Sequence, residues 1–222
     1  FVTGTGTEIE KTYVAGLLVK KLHEAGEKSA YYKAAMSGND KDADGNLIPG
    51  DAKFVKELGG IDQDLNEMCP YIYEKAYSPH LAAQIEGNPV NLDYVVEKLR
   101  DLEKKYDYIT LEGSGGILCP LRFDDEEVYL EDFVKKAKLS SIIVADAGLG
   151  TINNLVLTAF YMKEKGMKVK GIIFNNFIPG DVLQEDNIKM CQHMSGLKVL
   201  ACVKKGDKDL DIDIDKLKEI YE

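Results

Sequence analysis

The sequence predicts an α/β protein: a mostly parallel sheet flanked by helices on both faces, folded as a single domain. Three observations carry this. Short apolar runs alternate with helical patterns along the whole chain, the sign of repeated strand–helix–strand units. One run, Ser141-Ile142-Ile143-Val144-Ala145, is apolar at nearly every position, as in a strand covered on both faces. The 222 residues are ample to bury one core, and no linker, internal repeat or second domain interrupts them. Residues 1–222 are therefore read as one unit.

In chain order, Phe1-Val2-Thr3 reads as a strand running into a Gly/Thr loop. Residues 11–24 read as a helix, with Val14, Leu17, Leu18 and Leu22 on its apolar stripe and Gly26 as its stop. Ser29-Ala30-Tyr31-Tyr32 is a second strand ending at Lys33. Residues 36–50 form a polar loop of the length that usually carries function. Asp51 is expected to cap a short helix ending at Leu58, and residues 69–73 to be extended. Ser78 as N-cap and Pro79 at the first helical position open another helix. Asn91 caps a long amphipathic helix with Val95, Val96, Leu99 and Leu102 on one side. Tyr108-Ile109-Thr110-Leu111 is a strand, which Glu112-Gly113-Ser114-Gly115-Gly116 is expected to break into a turn. Residues 129–138 are helical, the Ser141 strand follows, and Gly148-Leu149-Gly150-Thr151 leads into a helix over 151–165. That helix carries Ile152, Leu155, Val156, Leu157, Ala159, Phe160, Tyr161 and Met162 nearly all round, which predicts that a second subunit covers its outer side. A strand over 169–174, a helix over 181–194, a strand over 198–203 and an acidic tail ending in a short helix complete the chain.

Composition excludes several function classes. A formal net charge of −10 argues against nucleic-acid and anionic-membrane partners. The four cysteines are far apart and form no C-x-x-C, so they read as reduced and intracellular rather than as a disulfide frame or zinc site. No apolar run approaches the ~18 residues of a membrane span. With the first residues read as a strand, no signal peptide is expected and the setting reads as cytoplasmic.

The chemistry is expected at the carboxyl ends of the strands. The first strand leads into Gly4-Thr5-Gly6-Thr7-Glu8-Ile9-Glu10-Lys11-Thr12 and then a helix. Strand, loop, Lys-Thr, helix is the context of a phosphate-binding loop: backbone N–H groups face the phosphates, Lys adds a charge, and the Thr hydroxyl holds Mg²⁺. The strict pattern G-x-x-x-x-G-K-[ST] is not met, because its glycines would fall on Thr5 and Glu10. The same sheet edge receives Lys33 and Ser37, then Glu112 with Gly113, Gly115 and Gly116, then the 148–153 turn, then Asn175 and Asn176. Two lysines, a hydroxyl, a carboxylate and Gly-rich turns on one edge favour a nucleotide site, since Mg²⁺ wants hard oxygens and phosphates want cations.

These motifs, with Tyr32-Lys33 before Ser37-Gly38, Asp51-Ala52 and Ser78-Pro79-His80, resemble the dethiobiotin synthetase family over nearly the whole chain. The resemblance implies a P-loop nucleoside-triphosphate-hydrolase-like fold and an ATP- and Mg²⁺-dependent ligase. Diaminopelargonate and CO₂ or bicarbonate would give a carbamate, then a carbamic–phosphoric anhydride, then the cyclic urea of dethiobiotin, with ADP and phosphate released. It further implies a nucleotide site of Glu8, Ile9, Glu10, Lys11, Thr12, Tyr13, Asp51, Glu112, Gly113, Ser114, Gly115, Asn175, Asn176, Lys204, Lys205 and Gly206. Thr12, Asp51 and Glu112 would position Mg²⁺, and Asn175 would read the adenine. Lys33, Lys11 and Thr7 would serve catalysis, with Thr7, Lys33 and Ser37 also touching substrate. Gly148, Leu149, Gly150, Thr151 and Asn153 would hold the substrate carboxylate across a homodimer interface.

Two positions depart from the family pattern. Glu10 stands where the family has a glycine at positive φ, and its carboxylate is expected to repel the phosphates and compete for Lys11. Lys204-Lys205-Gly206 replaces a proline-containing nucleotide loop. Two alternatives follow: an impaired or non-catalytic family member, on account of Glu10, and a partitioning-type nucleotide-switch ATPase. The second is disfavoured, because such proteins carry a lysine near the position of Gly6.

Overall fold

Successive side chains of a strand face opposite sides of its sheet, and here that alternation sorts the core into layers. In the strand Ser141–Asp146, Ile142 and Val144 join an apolar cluster with Leu17, Leu18 and Leu217, while Ile143 packs with Val134 and Met162, and Ala145 with Leu155. The computed structural model describes residues 1–222 in the order β1 (Val2–Gly4), α1 (Lys11–Glu24), β2 (Ser29–Lys33), β3 (Ala35–Met36), α2 (Gly50–Gly59), α3 (Leu65–Met68), β4 (Tyr71–Ile72), α4 (Pro79–Glu86), α5 (Leu92–Glu103), β5 (Tyr108–Gly116), β6 (Pro120–Phe123), β7 (Glu127–Tyr129), α6 (Leu130–Ala137), β8 (Ser141–Asp146), α7 (Thr151–Glu164), β9 (Val169–Asn175), α8 (Val182–Ser195), β10 (Val199–Cys202) and α9 (Ile214–Tyr221). The central sheet has six strands in the order β10-β9-β8-β1-β5-β2, all parallel. Helices α1, α2, α3 and α9 cover one face; α5, α6, α7 and α8 cover the other. The three residues of β1 are all buried, flanked by β5 and β8, so the loop that follows leaves from the middle of the sheet.

Several expectations need correction. Asp51 does not cap α2: Pro49 holds the N-cap position and Asp51 lies in the first turn. The Gly50 N–H is satisfied instead by Asn39 Oδ1 at 3.0 Å, a partner eleven residues away that no local pattern reveals. Glu112 to Gly116 is not a turn after a broken strand. β5 continues to Gly116, which pairs with Gly4, and the register shift along β1 absorbs the intervening glycines. The expected extended piece at 69–73 holds β4, but the β6–β7 hairpin and the short β3 and α3 were not foreseen; runs of two to four residues carry no usable periodicity. The other helices and strands fall within two residues of their expected ends.

Helix α7 buries Leu155, Ala159 and Met162 but leaves Leu157 59% and Phe160 62% exposed. The apolar circumference is therefore real, and one side of it is uncovered within a single chain.

Close backbone approach shows at Gly171 in β9, where a Cβ would lie 2.7 Å from the Lys198 carbonyl oxygen. Gly171→Ala is expected to destabilise the fold by ~1–3 kcal/mol, a melting-temperature drop on the order of 3–10 °C. Thermal denaturation within about 1 °C of the unsubstituted chain would contradict the close packing of β9 against the residues leading into β10.

Candidate active site

The loop between β1 and α1 closes around Lys11. Its Nζ donates to the Gly6 carbonyl at 2.7 Å, and a side chain at Gly4 would collide with Ile9 and with Lys11 Cδ. Only glycine lets the Lys11 stem lie across the start of the loop. Burial pulls the Lys11 ammonium down to about 8, opposed chiefly by nearby Glu112. Glu10 occupies the N-cap position of α1 with φ 55°, in the left-handed region, and makes no side-chain cap. A residue with a Cβ held there is strained by ~1–2 kcal/mol. Its carboxylate does not take Lys11, as the sequence had led us to expect. Asn175 Nδ2 donates to Glu10 Oε2 at 3.3 Å and to the Ile9 carbonyl at 3.1 Å. Asn175 is 1% exposed, so this amide ties the end of β9 to the loop.

Beside the loop, the register of β2 on β5 sets Lys33 opposite Glu112. Lys33 Nζ donates to Glu112 Oε1 at 2.8 Å and to Asp51 Oδ2 at 2.6 Å. Thr12 Oγ1 donates to the same Glu112 oxygen at 2.9 Å, and Tyr31 O–H donates to the other, Oε2, at 2.8 Å. Glu112 is 3% and Lys33 7% exposed. Burial opposes the Lys33 charge, but Glu112 and Asp51 outweigh it and hold the ammonium above its ordinary range. Burial and then the Glu112 charge push the Tyr31 phenol well up, so it remains a donor. Thr12, Lys33, Asp51 and Glu112 thus come together as the sequence reading required.

A cleft of about 460 Å³ opens next to this cluster, lined among others by Thr7, Lys33, Ser37, Asp51, Ser114 and Cys119. Ser37 Oγ donates to the Tyr77 carbonyl at 2.5 Å, and Ser114 Oγ to the Ala35 carbonyl at 2.8 Å. Gly113 is packed under Leu130 and Phe1, and Gly115 has φ 67°. Burial pushes the Cys119 thiol up to about 11. Another cleft, against Phe1, Ile109 and Ser140, lies at the amino ends of the strands and shares no lining residue with the Lys33 cleft.

The turn before α7 lies elsewhere. Asp146 Oδ1 accepts the Gly148 N–H at 2.6 Å and Oδ2 accepts Asn176 Nδ2 at 3.0 Å. Gly150 has φ 89°, Leu149 is 90% exposed, Asn153 is exposed, and the buried Thr151 hydroxyl has no hydrogen-bond partner. This turn and the loop residues Thr5 to Ile9 line a separate depression that shares only Thr7 with the Lys33 cleft. Exposed Glu8 belongs to that loop. Lys204 and Lys205 are exposed; the Lys204 N–H donates to Asp207 Oδ2 at 2.9 Å, Gly206 has φ 84°, and Tyr13 O–H donates to the Asp207 carbonyl, tying the turn to α1. Sequence reasoning missed Tyr31, Asn39 and Gln63. For Tyr31 a signal existed: it precedes Lys33 by two residues on one strand and so shares its face.

Comparison with known proteins completes the picture. A family model described as an AAA domain matches residues 1–208. A protein of Brachyspira hyodysenteriae named ATP-dependent dethiobiotin synthetase is 45% identical over 212 residues, 95% of this chain and 94% of its own. Relatives of the same name from Clostridium botulinum (strain Langeland) and Clostridium perfringens are 44% and 40% identical, covering 100% and 99% of this chain and 97% and 96% of theirs. Solved structures share the fold at low identity. The MinC:MinD cell division complex of Aquifex aeolicus gives a TM-score of 0.56 at 10% identity, covering 98% of this chain and 84% of that one. A ParA family ATPase of Chlorobium tepidum gives 0.55 at 14%, covering 100% and 89%. Sheet order and phosphate-type loop place the fold among P-loop proteins, and identity over nearly the full length goes further: the chain belongs to the AAA domain family and, within it, to the enzymes called ATP-dependent dethiobiotin synthetases.

Proposed function

We propose that residues 1–222 work as one ATP- and Mg²⁺-dependent ligase unit that closes the cyclic urea of dethiobiotin from diaminopelargonate and CO₂. The observation that carries this is the Lys33–Asp51–Glu112–Thr12 cluster beside the Lys11 loop, in a chain of this family. One substrate amine takes up CO₂ and loses a proton, giving a carbamate. The γ-phosphoryl group of ATP passes to a carbamate oxygen and ADP leaves. The second amine attacks the carbonyl carbon, phosphate departs, and the ring closes. Lys11 and the loop amides hold the phosphates, and Lys33 stabilises the carbamate and the moving phosphoryl group. Thr7 and Ser37 orient the diamine in the Lys33 cleft. Exposed Glu8, with Tyr13, Gly113, Ser114, Gly115, Asn176 and the 204–206 turn, forms the rest of the nucleotide surround. The cytoplasm is the proposed setting, and no helix is long and apolar enough to cross a membrane.

The donor set fits Mg²⁺. No trio of His, Cys, Asp and Glu side chains gathers at one point, but Mg²⁺ in phosphoryl-transfer sites needs only one or two carboxylates, a hydroxyl and the phosphates themselves. Thr12, Asp51 and Glu112 supply hard oxygens, and Lys33 Nζ already sits between the two carboxylates as a cation. Bound there, the metal would neutralise charge building on the β- and γ-phosphates. The reading is tested by ADP release that requires both diaminopelargonate and bicarbonate; release independent of both would refute it.

A homodimer is part of the proposal. Leu157 and Phe160 of α7, Leu149 at 90% exposure on the turn before it and Val182 at 81% at the start of α8 are exposed apolar side chains of the kind a partner covers. In one chain the 148–153 turn does not line the Lys33 cleft, which suits a substrate carboxylate held by the other subunit. Leu157→Asp with Phe160→Asp should give a monomer by sedimentation and lower ligase turnover at least ~10-fold. An unsubstituted chain that sediments as a monomer at micromolar concentration would end this part of the reading.

Lys33→Ala should lower kcat by roughly 10²-fold or more while changing the Kd for ADP by less than ~3-fold, since the contact is made mainly in the transition state. Unchanged kcat with a raised KM for ATP would contradict that role.

Glu10 should weaken nucleotide binding. At ~4 Å and an effective dielectric near 20, its repulsion of a phosphate is ~4 kcal/mol before relaxation and metal screening. It also occupies Asn175 Nδ2, the group expected at the adenine. Glu10→Gly is expected to tighten ADP binding ~5- to 150-fold, a gain of ~1–3 kcal/mol, and to raise the melting temperature by relieving the φ 55° strain. Equal ADP affinity by calorimetry would contradict it.

A further inference from the structure

The two oxygens of Glu112 have different surroundings. Oε1 faces the phosphate loop and accepts from Thr12 Oγ1 and Lys33 Nζ. Oε2 faces the core, where the Tyr31 hydroxyl at 2.8 Å is its hydrogen-bond donor. Tyr31 is fully covered in an apolar cluster with Ala15, Val19, Val55 and Met68, so its hydroxyl has no water to turn to. A neutral donor suits this place. It satisfies a buried carboxylate oxygen, as burial demands, without adding a cation that would repel a metal on the other side.

The ring is also anchored from behind. Strand β2 is the edge of the sheet, so on one side its backbone lacks a neighbouring strand. At Tyr31 that gap is filled by Gln63, 1% exposed: the Tyr31 N–H donates to Gln63 Oε1 at 2.8 Å and Gln63 Nε2 donates to the Tyr31 carbonyl at 3.1 Å. One glutamine thus fixes the backbone of the tyrosine whose hydroxyl reaches Glu112 Oε2.

We infer that Tyr31 is a positioning residue for the metal site: its hydroxyl holds Glu112 Oε2 toward the core, so that Oε1 alone is offered, in a fixed direction, to Mg²⁺ beside Thr12. The inference rests on the proposed Mg²⁺ role of Thr12, Asp51 and Glu112. Tyr32 supplies the control. It is equally buried, and its hydroxyl donates to the Val95 carbonyl at 2.8 Å on the opposite face of the sheet, with no link to Glu112.

The test is calorimetry of ADP binding to the full chain, with Mg²⁺ titrated from zero, for the unsubstituted protein, Tyr31→Phe and Tyr32→Phe. Both substitutions keep the ring and should lower the melting temperature by similar amounts. The Kd for ADP without metal should be the same in all three. The Mg²⁺ concentration giving half of the affinity gain should rise roughly 10-fold or more in Tyr31→Phe alone, as for other groups that orient a metal ligand. Equal Mg²⁺ dependence in the two variants would overturn the role of Tyr31 and leave the site reading standing. An unsubstituted chain whose ADP affinity ignores Mg²⁺, or which binds no ADP, would overturn the site reading and this inference with it. Carbon-13 at tyrosine Cζ in the unsubstituted chain gives a reading independent of folding by the variants. Adding Mg²⁺ to the ADP complex should move the Tyr31 resonance and not that of Tyr32; an unmoved Tyr31 signal would overturn the inference.

Discussion

A carboxylate cannot be buried unpaired, and the site is built around satisfying the one at Glu112. At 3% exposure its burial would be costly without partners; Lys33, Thr12 and Tyr31 together supply three donors to its two oxygens. The three donors come from two structural decisions. Lys33 and Tyr31 arrive through the parallel register of β2 on β5, and Thr12 through the loop that leaves the middle of the sheet. Asp51 arrives because Asn39 fixes the start of α2. Removing any one of the three donors leaves the buried carboxylate short of a partner.

Much of this was legible in the residues, and the failures have a common cause. The parallel sheet followed from apolar runs such as Ile142 to Ala145 alternating with helices, because burial on both faces removes the polar positions. Lys33, Glu112, Asp51 and Thr12 were picked out because strand ends deliver side chains to one edge. Asp51 was misread as a cap because its true neighbour, Asn39, acts from a distance in sequence. Glu112 to Gly116 was misread as a turn because glycines signal turns equally well when they serve as a bulge within a paired strand. Tyr31 escaped because a strand buried on both faces gives every residue the same apolar reason to be there.

At Glu10 local and global demands disagree beside the site. The loop needs a left-handed residue there, the chain supplies a glutamate, and the fold accommodates it at φ 55° by giving its carboxylate the Asn175 amide. The loop stays closed over Lys11, so the proposed effect of Glu10 runs through its charge and its hold on Asn175 rather than through unfolding of the loop. The two alternatives that opened from the sequence then separate. The likeness to MinD and ParA proteins, at 10–14% identity, extends to the fold alone, whereas the dethiobiotin synthetases match at 40–45% over nearly the whole length.

Lys33 bridges Asp51 and Glu112, the two carboxylates proposed to meet a metal, so on that proposal the internal cation and Mg²⁺ would compete for the same oxygens. A crystal structure of the chain soaked with ADP and Mg²⁺ tests this most directly. The expected result is a metal bound by the Thr12 hydroxyl with Glu112 and Asp51 in its surround, and Lys33 Nζ drawn off Asp51 toward the position of the γ-phosphate. A metal bound elsewhere, with both Lys33 ion pairs intact and ADP fully occupied, would contradict it.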